Sequence, residues 1–68
     1  MKLSTRNQIK GEIIEIAKGE VAAKVKIDIG NGNVITSTIT LEAVNDLKLK
    51  KGDKVTALIK ASSFMIGK

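Results

Sequence analysis

Apolar and polar residues alternate most clearly over residues 21–29, VAAKVKIDI. Val21, Ala23, Val25, Ile27 and Ile29 fall on one side, and Ala22, Lys24, Lys26 and Asp28 on the other. A period of two predicts a half-buried strand. GNGN follows at residues 30–33, and its Asn-Gly pair accepts the positive φ of a tight hairpin turn. VITSTITL then returns as a run of β-branched residues. Residues 20–41 therefore read as one hairpin. Upstream, QIKGEIIEIA is also strand-like, but its parity slips: Ile9, Gly11 and Ile13 share one face, and Ile14 and Ile16 the other. A one-residue slip beside a glycine predicts a bulge or sharp coil in a long strand.

After Thr40 the period changes. Leu41, Val44 and Leu47 have helical spacing, with Thr40 as N-cap, and a lysine-rich loop containing Gly52 ends the turn. KVTALIK reads as a strand with Val55, Ala57 and Ile59 on one face, and SFMIG as a last short strand. Three strands, a short helix and two strands predict an all-β fold with one short helix. The count matches a five-stranded antiparallel barrel of the oligonucleotide/oligosaccharide-binding (OB) kind. An open sandwich completed by strands from another subunit is the alternative.

Composition adds a burial deficit. The chain has 68 residues, one domain over 1–68, with no Cys, His or Pro. A domain this small buries only ~60% of its unfolded surface, and disulfide and zinc staples are both excluded. With 43% hydrophobic residues, the missing burial is expected from oligomerisation. No stretch approaches the ~20 apolar residues of a membrane span, and MKLSTRNQ lacks the apolar core of a signal peptide. A soluble intracellular protein is the expectation.

Charge narrows the partners. Lys and Arg number 12 against 7 acidic residues, a formal +5, which favours anions. Without His or Cys, the commonest general base and the best nucleophile are missing, so no enzymatic activity is expected. The glycines of GNGN lie in a hairpin turn and form no phosphate-binding loop. Neither imidazole, thiolate nor a carboxylate cluster offers a cation site. A basic barrel could bind single-stranded nucleic acid, but that needs aromatic stacking platforms. The chain has one Phe and no Trp or Tyr, and Phe64, among apolar neighbours, reads as core.

A small oxyanion needs converging hydrogen-bond donors and positive charge to offset its desolvation. Two stretches carry such donors: Ser4, Thr5 and Arg6, and Lys60 to Ser63, where a strand breaks and N–H groups lose ladder partners. Ser62 and Ser63 could equally just end a strand, and Lys60 could simply face water.

STRNQIKG, TSTITLEAV and VTALIKASSFMIG together resemble the molbindins, small cytoplasmic molybdate-binding proteins made of a single Mop domain. The most specific pieces are S-x-R-N-Q followed by an apolar residue, x and Gly, and a late apolar–Lys–Ala–Ser run before a short apolar strand. The resemblance spans essentially the whole chain. It implies an OB-like barrel in a homohexamer, with molybdate or tungstate held between subunits by hydrogen bonds, without direct coordination of the metal by protein atoms. It places donors at Ser4 and Arg6, at Lys60, Ala61 (through its backbone) and Ser62, and at Thr40 from a neighbouring subunit. Ala43 stands where some relatives carry a hydroxyl, leaving only its backbone to contribute. A second class of site is assigned to the KGEV turn: Lys18, Gly19, Glu20 and Val21. Cytoplasmic storage and homeostasis of the anion follow, with no catalytic cofactor, nucleic acid or membrane involved.

Overall fold

The structure, a computed structural model, describes residues 6–68. Its elements are β1 (Asn7–Lys18), β2 (Ala22–Gly30), β3 (Asn33–Thr40), α1 (Leu41–Leu47), β4 (Lys54–Ile59) and a single 3-10 turn over Ala61–Ser63. The strands form one antiparallel sheet in the order β3-β2-β1-β4. β1 is the long central strand, shared between β2 along its second half and β4 along its first.

The hairpin forms as the alternation dictates. Ala23, Val25 and Ile27 are buried, with lysines and Asp28 opposite. Asn31 and Gly32 occupy the two turn positions with φ of 55° and 77°, the doubly positive pair whose twist matches the flanking strands. Asp28 Oδ1 accepts a 2.8 Å bond from the Gly30 N–H, closing a bulge beside the turn.

In β1 the parity slip is a bulge between Ile13 and Glu15. Its effect is the reverse of a change of face. Ile13 stands opposite Ile27 and Ile16 opposite Val25, so the extra residue Ile14 absorbs the slip and returns Ile16 to the core side. The bulge also turns the Ile13 backbone toward the loop before β4: Ile13 N–H donates to Asp53 O and Ile13 O accepts from Gly52 N–H. Gly11 sits where β1 coils hard against β2. A Cβ there would lie 2.6 Å from Ile27 Cγ2 and 2.7 Å from the Asp28 carbonyl oxygen.

α1 begins at Thr40, whose Oγ1 accepts a 3.0 Å bond from the Ala43 N–H. Val44 is driven into the core with Ile13, Ala23, Val25 and Ile27, while Leu47 is exposed. Lys48 closes the helix in the left-handed conformation at φ 53°, its N–H bonding back to the last turn.

One sequence expectation fails. SFMIG forms no strand: Ser63 closes the 3-10 turn by donating to the Lys60 carbonyl, and residues 64–68 run on without a ladder partner among the described residues. Phe64, read as core, is 56% exposed, and Met65 and Ile66 are above 90%. The sheet is consequently a curled half-barrel with a cleft between its edges, lined by apolar side chains including Ile13, Ile27, Ile35, Ile39, Val55 and Ile59. No helix among the described residues is long and apolar enough to cross a membrane.

Candidate functional site

The β1–β4 register brings Arg6 beside the second donor-bearing stretch. Asn7 pairs with Ile59, Gln8 with Leu58 and Ile9 with Ala57. Arg6, just before β1, therefore emerges next to Lys60, just after β4. The Asn7 side chain reinforces that last rung, its Nδ2 donating to the Ile59 carbonyl oxygen at 3.2 Å. Ser4 and Thr5 lie outside the described residues. In sequence, Thr5 and Ser4 precede Arg6 by one and two residues.

The chemistry at this end is donor-rich and cationic. Arg6, Lys60, Ala61 and Ser62 are all exposed. The 3-10 turn leaves its first N–H groups without an intrahelical acceptor, and those of Ala61 and Ser62 find none elsewhere among the described residues. The ion-paired carboxylates have other partners. Glu12 pairs with Lys54, Asp53 with Lys50 and Glu15 with Lys26, whereas Arg6 and Lys60 have no acidic partner among the described residues. Two unneutralised cations with open N–H and O–H donors can replace the water around a small anion.

Thr40 lies elsewhere. It pairs with Ala22 at the far end of β2–β3, beside the turn that joins β1 to β2. β1 is 12 residues long; fully extended it would reach ~40 Å at ~3.3 Å per residue, more than the molecule's longest dimension of 33 Å, so it runs the length of the molecule as a bent, coiled strand. Within one chain Thr40 and the Arg6–Lys60 pair lie near opposite ends of β1. Ala43, expected to contribute through its backbone, has its N–H occupied by Thr40 Oγ1. That bond leaves the Thr40 hydroxyl proton as the available donor.

The KGEV turn adjoins Thr40: Leu41 N–H donates to the Val21 carbonyl and Gly19 N–H to that of Ala22. Lys18 and Lys24 flank a shallow depression with Gly19 and Thr38, and Val21 is 80% exposed. Lys18, Gly19, Glu20 and Val21 are thus together with Thr40 on one end of the molecule, and Arg6 with Lys60, Ala61 and Ser62 on the other. Among the described residues no cluster of acidic, His or Cys side chains could hold a metal cation.

Several known proteins resemble this chain in sequence and fold. A probable molybdenum-pterin-binding protein of Haemophilus influenzae is 52% identical over 67 residues, covering 98% of this chain and 97% of that protein. A molybdate-binding protein from Sporomusa ovata superposes with a TM-score of 0.94 at 44% identity, over the whole of both chains. The cytoplasmic molybdate-binding protein ModG, solved with molybdate bound, matches 93% of this chain and 45% of its own length, with a TM-score of 0.88 and 43% identity. The family model described as the TOBE domain matches residues 3–66. The chain belongs to the TOBE domain family.

Proposed function

We propose that this protein binds molybdate, or the near-isosteric tungstate, at junctions between copies of itself, and acts as a cytoplasmic store of the anion without catalysing a reaction. Arg6 and Lys60 supply the charge. The Ala61 N–H and the Ser62 N–H and hydroxyl supply directed hydrogen bonds, joined by Ser4 and Thr5 from the same N-terminal motif. Thr40 from a neighbouring copy completes the shell. The carrying observation is the juxtaposition of Arg6 with Lys60 through the Asn7–Ile59 rung: among the described residues, two cations without carboxylate partners beside N–H groups without acceptors.

Self-assembly is supported by surface left open in one copy. An apolar cleft lies between the sheet edges, and the extended tail carries Phe64, Met65 and Ile66 in water. Exposed apolar surface of this kind marks an association site, and a tail from another copy has the polarity and extension to serve as the fifth strand. The hexamer implied by the resemblance to molbindins is the assembly we propose.

The names of relatives mention a molybdenum pterin as well as molybdate. The donor set favours the inorganic anion, because a pterin ring calls for a stacking surface and Phe64 is the chain's one aromatic. The same scarcity disfavours single-stranded nucleic acid. Equilibrium dialysis against molybdate, sulfate and phosphate tests the proposal. Selective retention of molybdate is expected; failure to retain it, or equal retention of all three, contradicts it.

A further inference from the structure

Asn7 stands between the two halves of the proposed site without belonging to either. Its Nδ2 donates to the Ile59 carbonyl oxygen across 3.2 Å, in a partly buried position, linking residues 52 apart in sequence. The strands already pair at this rung, so the side-chain bond is a second fastening on the last step of the ladder. Beyond it both chains leave the sheet, Arg6 on one side and Lys60 on the other. Ladder ends fray when nothing holds them.

The fastened atom matters. A peptide unit is planar and trans, so the Ile59 carbonyl and the Lys60 N–H share one plane and point in opposite directions. Holding that carbonyl sets the plane, and with it the direction in which the backbone enters the Lys60–Ser62 turn. The residue that holds it is covalently next to Arg6. One amide thereby fixes the Arg6 backbone relative to the Lys60, Ala61 and Ser62 donors.

We infer that Asn7 is a positioning residue for the anion, setting the gap between the arginine side and the lysine–serine side and so the size of tetrahedral oxyanion the site accepts. This rests on the reading that Arg6 and Lys60 to Ser62 hold the anion. Molybdate and sulfate share charge and shape and differ in size. A fixed gap discriminates between them, whereas a loosened one closes on the smaller ion as readily as on the larger. A merely structural Asn7 lacks that signature, because general loosening weakens both anions alike.

The test is isothermal titration of the assembled protein with sodium molybdate and with sodium sulfate, for the wild type, Asn7→Leu and Asn7→Ser, alongside anion-free melting curves. Leucine keeps the volume and removes the donor; serine keeps polarity but falls short of the carbonyl, and decides the matter if the leucine variant does not fold. Loss of one positioning hydrogen bond is expected to weaken molybdate binding about tenfold and sulfate binding less, narrowing the preference. Wild-type molybdate affinity in the serine variant, or equal weakening of both anions in step with a lowered melting temperature, overturns the inference. If the folded wild type itself fails to bind molybdate, the parent reading fails and this inference with it, a case the wild-type titration alone identifies.

Discussion

The two ends of β1 present opposite economies of hydrogen bonding. At its start, the donors outnumber the acceptors: Arg6 and Lys60 lack carboxylates, and the Ala61 and Ser62 N–H groups lack acceptors among the described residues. At its finish, donors are largely engaged. The Ala43 N–H is capped by Thr40, and the Leu41 and Gly19 N–H groups bond to Val21 and Ala22 carbonyls. The first end is unfinished, with open donors for the proposed anion site; the second is a finished corner in which the Thr40 hydroxyl proton stays available. β1 separates the two groups within one chain, and the proposed site brings them to one ion from different copies. A site shared in this way, as proposed, links anion binding to assembly, each stabilising the other by mass action.

The largest perturbation acts on the strand connecting the ends. Gly11→Val forces a Cβ against Ile27 and the Asp28 carbonyl, neither of which can withdraw without breaking the β1–β2 pairing. A loss of about 3 kcal/mol is expected, read by chemical denaturation, with both ends lost together. At the unfinished end, Arg6→Ala or Lys60→Ala should weaken molybdate binding by ~1.5–3 kcal/mol, the range for charge-assisted hydrogen bonds. Both residues are exposed, so the anion-free melting temperature should barely move; calorimetric titration and melting curves separate the two effects.

At the finished end, Thr40 serves a cap and a donor at once, and two substitutions part these roles. Thr40→Ala should cost about 1 kcal/mol of stability through the lost cap and also weaken molybdate. Thr40→Asp keeps a capping oxygen and so preserves stability, but places a carboxylate against the anion and abolishes the Thr40 contribution. Lys18→Ala should leave the affinity of the main site unchanged and remove only weaker additional binding, seen as a lower stoichiometry at high molybdate. Smallest of all is the response to pH. With no histidine in the chain, molybdate affinity should stay flat over about pH 6 to 8, the range in which an ordinary histidine changes charge.

Much of the sheet was legible because its signals are local. Val25 and Ile27 alternate with lysines, Asn31-Gly32 fits a doubly positive turn, and Thr40 precedes a change of period. The slip in β1 was legible too, but not its consequence. That Ile16 rejoins the core depends on pairing with Val25, a register no local pattern encodes. SFMIG carries the composition of a strand, yet strand formation needs a partner edge, and none within the described chain pairs with it. For the site, the donor types at Ser4 to Arg6 and Lys60 to Ser62 were visible as chemistry. Their adjacency comes only from the Asn7–Ile59 rung. The Thr40 N-cap, itself legible, already occupies the Ala43 N–H, so the backbone donor that the resemblance left at Ala43 is lost to the helix start.

A site shared between copies is tested most directly by mixing. Lys60→Ala and Thr40→Asp proteins are each expected to bind molybdate weakly, but each retains the half that the other lacks. After unfolding together and reassembly, some junctions should unite an intact Lys60 from one chain with an intact Thr40 from the other, and titration should reveal a fraction of wild-type-affinity sites. A mixture binding no better than its two components measured apart would place all the donors on one chain and contradict a site built where protomers meet.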